Sequence, residues 1–522
     1  MNPLHARSWL PAACLSLLFA GSASALKDEN NQGRWEKPCE RGPDAVVPGF
    51  LVNMGPTGAR GILKANSYVV KYIFDGSPAA GILKIDDEVT GANGKAFGTH
   101  TFGGRHHGLE GPLQDLGLAI EDSEGGDGVL RLTVKRGDQE IIVNVQLEKL
   151  GRFAETFPLN CTKTRVLRDR AYKYLMDHPG GVSSQGRCAA ALAMMGADDP
   201  KVAAAGKRMA LDWNKPYDKQ TWSWHLGFQG ITLAEYQILT GDDSVKDTLK
   251  STLDLLRYSQ WTGDIKHWKV SQFKKPVEQS VLDRHQALYA GGFGHAPFPV
   301  IVARGGGGYG PMLWPTCLAL MSWELGKECG LDGYGEGIDE AFKFLENGTT
   351  KAGRIAYGGE FTLNNGPVDT AKWQADTKPG FSAKSGLGYF VYRFSDRANA
   401  GEMMKLHLSN IDQAYKDMAD GHACALMGFT WGLAGTFGSD DAALKKKVFD
   451  HYKAWINLAR CHGSDSYVIL PARDYADSSY YRDNIRNHTT AAMALLYRFS
   501  SPKLRIHGAR GANKRHGGFV PQ

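Results

Sequence analysis

Met195-Gly196-Ala197-Asp198-Asp199-Pro200, Thr240-Gly241-Asp242-Asp243, Cys329-Gly330-Leu331-Asp332 and Phe437-Gly438-Ser439-Asp440-Asp441 are versions of one junction. Glycine just past a helix end takes the left-handed conformation that closes the helix. The following aspartate caps the next one, so each junction predicts a tight helical hairpin. Phe394-Ser395-Asp396 is a degenerate copy. Several junctions lie roughly 45 residues apart, or a multiple of that, the size of a helix-pair repeat. The segments ahead of them, Trp224 to Leu239, Leu313 to Leu325 and His422 to Thr436, are apolar around much of their circumference, which predicts helices buried on both sides. One ring of helices behind another satisfies this, an α/α toroid of about a dozen helices from Thr162 to Phe499; an open solenoid would expose one face of the inner helices. The connections 261–300, 305–310, 352–380 and 462–487 are long and rich in glycine and aromatics. Gathered at one end of a toroid, such loops are where a site is expected.

Upstream the pattern changes. Val69-Val70-Lys71-Tyr72-Ile73, Gly76-Ser77-Pro78-Ala79-Ala80-Gly81-Ile82-Leu83, Ile85-Asp86-Asp87-Glu88-Val89 and Asn93-Gly94-Lys95 read as strand, turn and short helix, strand, and type I′ turn. Pro78 suits a first helical position, and Asn-Gly tolerates two positive φ angles. Gly111 to Glu121 predicts a second helix. Val129 to Lys135 and Glu140 to Leu147 alternate with period two around Arg136-Gly137-Asp138, a hairpin. This order resembles a PDZ domain, over residues 47–150. The resemblance implies an extended peptide or protein C-terminus held at a sheet edge. It would place the carboxylate-binding loop at Gly55, Gly58, Arg60 and Gly61, although the short apolar signature of that loop is absent here. The fold class expected is multidomain α+β, a small β-rich PDZ-like domain followed by a large all-α toroid of about six hairpins over residues 151–500.

The ends carry an address and a tail. Arg7, the apolar run Leu10 to Ala20 and the small residues Gly21 to Ala25 have the anatomy of a secretory leader over residues 1–25. The run falls well short of the ~20 residues a membrane span needs. Residues 26–46, broken by Gly33, Pro38, Gly42 and Pro43, read as a linker, and 501–522 as a basic tail. The protein is expected to be secreted or periplasmic. Its formal charge of +6 is spread over 522 residues without an aromatic-interleaved basic stripe, which excludes a nucleic-acid partner. Seven cysteines follow the leader, at irregular intervals and without CxxC spacing, so neither a disulfide scaffold nor a metal site is read, and no cofactor is implied. A Cys39–Cys161 bridge would suit an oxidising compartment.

The candidate chemistry lies in histidines and one polar cluster. His295 ends Gly291-Gly292-Phe293-Gly294, a loop that needs glycine for positive φ or close approach, and is the first choice. His225 sits among Trp222, Trp224 and Phe228, where it would serve as a general acid or base with the indoles as a sugar platform; Glu235 follows nearly three turns along the same helix. His422, after Asp420-Gly421, would open a helix with its imidazole toward the cavity. Tyr481 and His488 belong to the cluster Arg473 to His488, whose Tyr, His, Arg and Asn are the types needed to abstract a proton beside a uronate carboxylate. Packed structural roles compete at each position. No Gly-x-Ser-x-Gly elbow occurs between a strand and a helix, and Gly305 to Gly308 lacks the Lys-Ser/Thr of a phosphate loop.

Gly55-Pro56-Thr57-Gly58-Ala59-Arg60-Gly61, Gly76-Ser77-Pro78, Trp222-Ser223-Trp224-His225, Leu233-Ala234-Glu235-Tyr236, Gly291 to His295, Asp420-Gly421-His422-Ala423 and Lys503 to Gly508 together resemble an uncharacterised family of secreted bacterial proteins. These pair an N-terminal PDZ domain with a C-terminal helical toroid of unknown function. The toroid half is also similar to the terpenoid-cyclase and prenyltransferase barrel and to the toroids of polysaccharide lyases and glycosidases. It lacks the acidic triplet of the cyclases. The resemblance implies architecture rather than a reaction. Two functions are expected from this reading: a PDZ module that binds a peptide while the toroid presents a ligand cavity, or alternatively a toroid polysaccharide lyase or glycoside hydrolase tethered by that module.

Overall fold

The computed structural model describes residues 27–28, 46–47, 50–100, 109–179, 183–262, 280, 288–304, 310–358, 369–420, 425–463, 465–468 and 485–509. The expected leader (1–25), most of the expected linker and basic tail, Cys39, His422 and Tyr481 lie outside the described residues. Strands β1 (Phe50–Asn53), β2 (Ala59–Leu63), β3 (Tyr68–Ile73), β4 (Glu88–Ala92), β5 (Lys95–Ala96), β6 (Val129–Arg136) and β7 (Gln139–Gln146) form one antiparallel sheet. Its order is β1-β2-β3-β4-β6-β7, with β5 beside β4. Asn93 and Gly94 turn β4 into β5 at φ +50° and +77°, the pair of positive angles a type I′ turn requires. The β6–β7 hairpin keeps continuous register from Val129↔Gln146 to Arg136↔Gln139. Helix α1 (Pro112–Glu124) packs on β4 and β6.

Two local expectations fail for identifiable reasons. Residues 76–83 make consecutive turns instead of a helix, and Gly81 at φ +75° ends the coil within one turn. The strand expected from Ile85 starts only at Glu88, because Asp86 is left-handed at φ +69° and the Asp87 carboxylate accepts the Lys84 N–H at 2.8 Å.

From Thr162 the chain is helical. Six helices form an inner ring among the described residues: α3 (Ser184–Met194), α5 (Ser223–Thr240), α8 (Leu313–Glu328), α11 (Ser382–Phe394), α13 (Ala425–Phe437) and α15 (Ile485–Arg498). Each packs on the next, and α15 packs on α3, so the ring closes. An open solenoid would leave that last contact unmade. Behind them lie α2 (Thr162–Asp177), α4 (Pro200–Leu211), α6 (Lys246–Ser259), α9 (Gly335–Asn347), α12 (Ala400–Ala414) and α14 (Ala442–Ala459), with the short α7 (Phe298–Ala303) and α10 (Thr370–Gln374) in connections. This is an α/α toroid. Contacts between neighbouring inner helices advance together, Gly227 on Leu318 then Gly230 on Ser322, and Ser183 on His488 then Arg498 on Gly196. The inner helices are therefore parallel, and their N-termini meet at one end of the ring.

The junction glycines divide by role. Gly241 and Gly330 are left-handed at φ +69° and +72°, as the pattern predicts. Gly196 and Gly438 are not; there the missing side chain admits Lys503 with Arg498, and Phe390. Asp199, Asp242 and Asp441 accept backbone N–H groups at the following helix starts. Cys161 likewise caps α2, its sulfur 3.4 Å from the Thr164 N–H.

The two domains share a buried interface. Gly117 of α1 lies so close to α14 that a Cβ there would stand 2.5 Å from the Ala454 carbonyl. Lys163 pairs with Glu121 and, at 2.7 Å, with Glu124; Arg460 reaches Glu124 at 2.8 Å, and Asn457 donates to Glu121 at 3.0 Å. Two acids and two bases are thus enclosed and hydrogen-bonded together, an arrangement that fixes docking geometry because any misplacement strands a charge away from water.

Candidate functional site

The N-terminal ends of the inner helices are reached by long connections, whereas residues 195–199, 329–334 and 395–399 cross quickly at the other end. Side chains at the long-connection end are therefore carried by a rigid ring. The ring itself is filled one turn below. Phe228 of α5 stacks against Trp431 of α13, helices that are not neighbours in the ring, with centroids 6.5 Å apart. Gly386 makes room for this packing, since a Cβ there would strike the Trp431 carbonyl. Binding space consequently lies at the mouth, not along the axis.

At the mouth, Trp222 precedes α5 and is 43% exposed. Its ring centroid is 5.5 Å from that of His295 and 6.5 Å from that of His225. His295 arrives from a separate loop, fixed by the Ser223 N–H donating to its carbonyl at 3.0 Å. Both reasons for glycine in that loop hold: Gly291 has φ +87° and abuts the Glu340 carbonyl, and a Cβ on Gly294 would lie 3.1 Å from Trp261 Nε1. Trp224 donates its indole N–H to His295 Nδ1 at 2.9 Å. Burial holds the His295 imidazole below its ordinary pKa; His225 is lowered too, by burial and by the nearby Arg187 cation. Both rings are neutral at pH 7.

His225 and Trp222 line a depression of about 300 Å³ with Tyr217, Asp218, Gln220 and Thr221. Asp218 organises this loop, accepting from the Gln220 N–H at 2.8 Å and the Thr221 hydroxyl at 3.2 Å. Burial raises the Tyr217 phenol against the lowering effect of Arg187, so its hydroxyl stays protonated. Tyr217, Asp218 and Arg187 are not singled out by the sequence reading; Tyr217 and Asp218 stand five and four residues ahead of Trp222 but carry no pattern of their own, and Arg187 comes from a different helix. Lys384, a buried lysine at the first turn of α11, stands at the same end of the ring and was also passed over.

The remaining expected residues separate from this group. His488 begins α15 at the same end but is fully buried, bonded through Nδ1 to the Ser183 hydroxyl at 2.9 Å, and burial lowers it to about 3. It ties α15 to the cap of α3. Glu235 lies far along α5, where it accepts the N–H groups of Arg505 and Ile506 at 2.9 and 2.7 Å. It anchors the C-terminal segment and is no partner of His225. His422 and Tyr481 lie outside the described residues.

Gly55, Gly58, Arg60 and Gly61 occupy the β1–β2 turn and strand β2, all buried. A Cβ on Gly55 would stand 2.7 Å from the Asn457 carbonyl, and Gly58 faces Ser77 and His462. The Arg60 guanidinium lies 5.2 Å over the Phe74 ring. Strand β2 is paired on one side with β1 and on the other with β3, so it has no edge to offer a peptide. The turn is an interdomain contact.

No group of three or more potential metal ligands occurs among the described residues, and no helix there is long and apolar enough to cross a membrane. No curated protein matches the sequence. Among solved structures the chain is similar to an unsaturated glucuronyl hydrolase specific for heparin, at 13% identity and TM-score 0.40, covering 65% of this chain and 95% of that one. It is also similar to a mutant unsaturated glucuronyl hydrolase from Streptococcus agalactiae, at 10% identity and TM-score 0.31, covering 65% and 92%. A family model matches residues 164–508, the whole ring and the segment after it, and the chain belongs to that family, the domain of unknown function DUF6288.

Proposed function

We propose that the mouth of the toroid binds a carbohydrate chain and that His225 transfers a proton there. The observation that supports this is Trp222, an exposed indole beside two neutral imidazoles at the open end of a closed ring. An indole face stacks on the apolar face of a sugar while polar groups at the rim take its hydroxyls. His225 has no hydrogen-bond partner on its ring among the described residues and borders the depression as a neutral base. With Arg187 as a cation and Tyr217 as an acid, this set suits abstraction of a proton beside a uronate carboxylate. Most glycoside hydrolases use two carboxyl groups, and Asp218 is the sole carboxylate lining the depression among the described residues, so the usual pair is not assembled from this lining. The test is incubation with acidic and neutral polysaccharides, following both reducing ends and the ultraviolet absorbance of unsaturated uronate. Turnover that vanishes in His225→Gln while binding persists is the expected result. Turnover indifferent to that substitution overturns the role of His225.

A second role belongs to the N-terminal domain, read as PDZ-like. Its peptide edge is placed at β7, whose outer side carries no strand among the described residues and exposes Ile142 at 72%. An extended peptide adds there through main-chain hydrogen bonds. Ile142→Lys should abolish capture of C-terminal peptides measured by fluorescence anisotropy; retained capture would remove the edge from consideration. Export completes the proposal, with N-terminal sequencing of the mature protein expected to begin after Ala25.

A further inference from the structure

The opposite, short-loop end of the ring carries a different chemistry. Arg393, in the last turn of α11, donates Nη1 to the Gly438 carbonyl and makes no ion pair among the described residues. Arg498, the last residue of α15 and 1% exposed, donates Nη2 to the Gly196 carbonyl, while its Nε has no partner among the described residues. Lys445, half-buried in the first turn of α14, has an ammonium group with neither hydrogen bond nor ion pair among the described residues. His507 is 4% exposed, and neither of its ring nitrogens has a partner among the described residues. Elsewhere the enclosed cations Lys163 and Arg460 are matched by Glu121 and Glu124.

Arg393, Arg498 and His507 converge on the segment 503–508, and Lys445 lies in the first turn of the helix that follows Gly438, whose carbonyl Arg393 holds. A Cβ on Gly508 would lie 3.2 Å from Arg393 Nη2, and one on Gly196 would lie 3.4 Å from Arg498 Nη2 and 3.3 Å from Lys503 Cβ. The two guanidiniums therefore flank the segment that bears His507, whose ring meets Phe499 edge-on at 5.5 Å. Both arginines also act on the imidazole: it is held well below its ordinary value by burial, then by Arg498 and Arg393. Lys445 is lowered by burial and by the same Arg393, while Asp440 and Asp441 oppose. Of the nearby carboxylates, Asp198 is committed to Lys503 at 2.6 Å and Asp441 to the Leu444 N–H, while Asp440 is exposed and makes no ion pair with Lys445 or Arg393.

We infer that the short-loop end of the toroid is an oxyanion site, in which Arg393, Lys445, Arg498 Nε–H and His507 hold a phosphate or sulfate group. Each helix-end carbonyl takes one guanidinium N–H and leaves the positive charge largely in place. A tetrahedral oxyanion supplies several strong acceptors and negative charge at once, and charge-assisted bonds of this kind are the strong ones. A buried water would satisfy His507 but would neutralise none of the three cations. With an anion present, the protonated imidazole becomes a fourth donor. This inference rests on residues at the other end of the ring from the carbohydrate mouth and stands or falls separately.

The test is calorimetry and thermal unfolding of the mature chain with sodium phosphate, sodium sulfate or sodium chloride at matched ionic strength, alongside Lys445→Gln. Saturable binding of phosphate or sulfate, a raised Tm not reproduced by chloride, and at least tenfold weaker binding in Lys445→Gln are expected. The His507 NMR titration should move to higher pH when the oxyanion is added. Equal Tm in all three salts, or binding unchanged in Lys445→Gln, would overturn the inference. A sulfated oligosaccharide that binds more tightly than inorganic sulfate and depends on Lys445 identifies the group as a polymer substituent; preference for the inorganic ion identifies a free anion.

Discussion

Trp224 donates its indole N–H to Nδ1 of His295 across 2.9 Å. Indole nitrogen only donates, so Nδ1 must accept and the neutral ring carries its proton on Nε2. His295 Nδ1 is thus committed to the indole, and under the proposed function the base of the pair is His225. Trp224→Phe keeps the ring and removes the donor. The His295 titration, followed by NMR, should then move upward, because Nδ1 can take a proton without facing another N–H, and stability should fall by about 1 kcal/mol. An unmoved titration would show that the bond does not set the tautomer.

The aromatic floor separates mouth from axis. Phe228→Ala opens a cavity under Trp431 and should cost about 3–5 kcal/mol in guanidinium unfolding. A loss below about 1 kcal/mol would mean that the ring interior is not packed through this contact.

Lys163 is enclosed between Glu121 and Glu124. Lys163→Met leaves two buried carboxylates to Arg460, Asn457 and the Phe153 N–H, with one cation in place of two, and a loss of about 3–5 kcal/mol is expected from denaturant titration. Unchanged stability would contradict a charge-locked interface between sheet and ring.

Stability should also fall as the pH rises toward neutrality. Burial pushes the Glu235 carboxyl up to about 7, against the Ile506 and Arg505 N–H groups and the Arg505 cation that favour its charged form. A raised folded pKa means that the stabilisation is complete below the unfolded value of 4.5 and is lost through about 7, a span worth roughly 3 kcal/mol. Glu124 has the opposite sign: Arg460 and Lys163 outweigh its burial and hold it low, so its contribution is present above 4.5 and lost on acidification. In Glu235→Gln the decline between about pH 5 and pH 8 should flatten, read from Tm against pH. A wild-type profile already flat in that range would refute the assignment.

The ring was legible because its signals are local. Asp199, Asp242 and Asp441 cap as their spacing predicts, and apolar inner helices can be buried on both sides only behind a second layer. Closure, by contrast, depends on α15 meeting α3 some 300 residues away, which the Ser183–His488 bond records and no short pattern announces. The Gly55–Gly61 turn shows the same limit: its sequence suits a loop open to a ligand, but Asn457, more than 390 positions later, covers it. At the mouth, Trp222, His225 and His295 stand out as aromatics and histidines beside glycine, whereas Tyr217 and Arg187 join them only through folding. His488 carries the residue type of a catalyst, and only its burial beside Ser183 reveals a structural rivet.

The most direct test of the proposed carbohydrate mouth is a calorimetric titration of the protein with a series of acidic and neutral oligosaccharides, repeated with Trp222→Ala. Saturable binding of at least one acidic member, weakened tenfold or more in Trp222→Ala with Tm unchanged, is the predicted result. Absence of binding across the series, or binding of equal strength in Trp222→Ala, would contradict it.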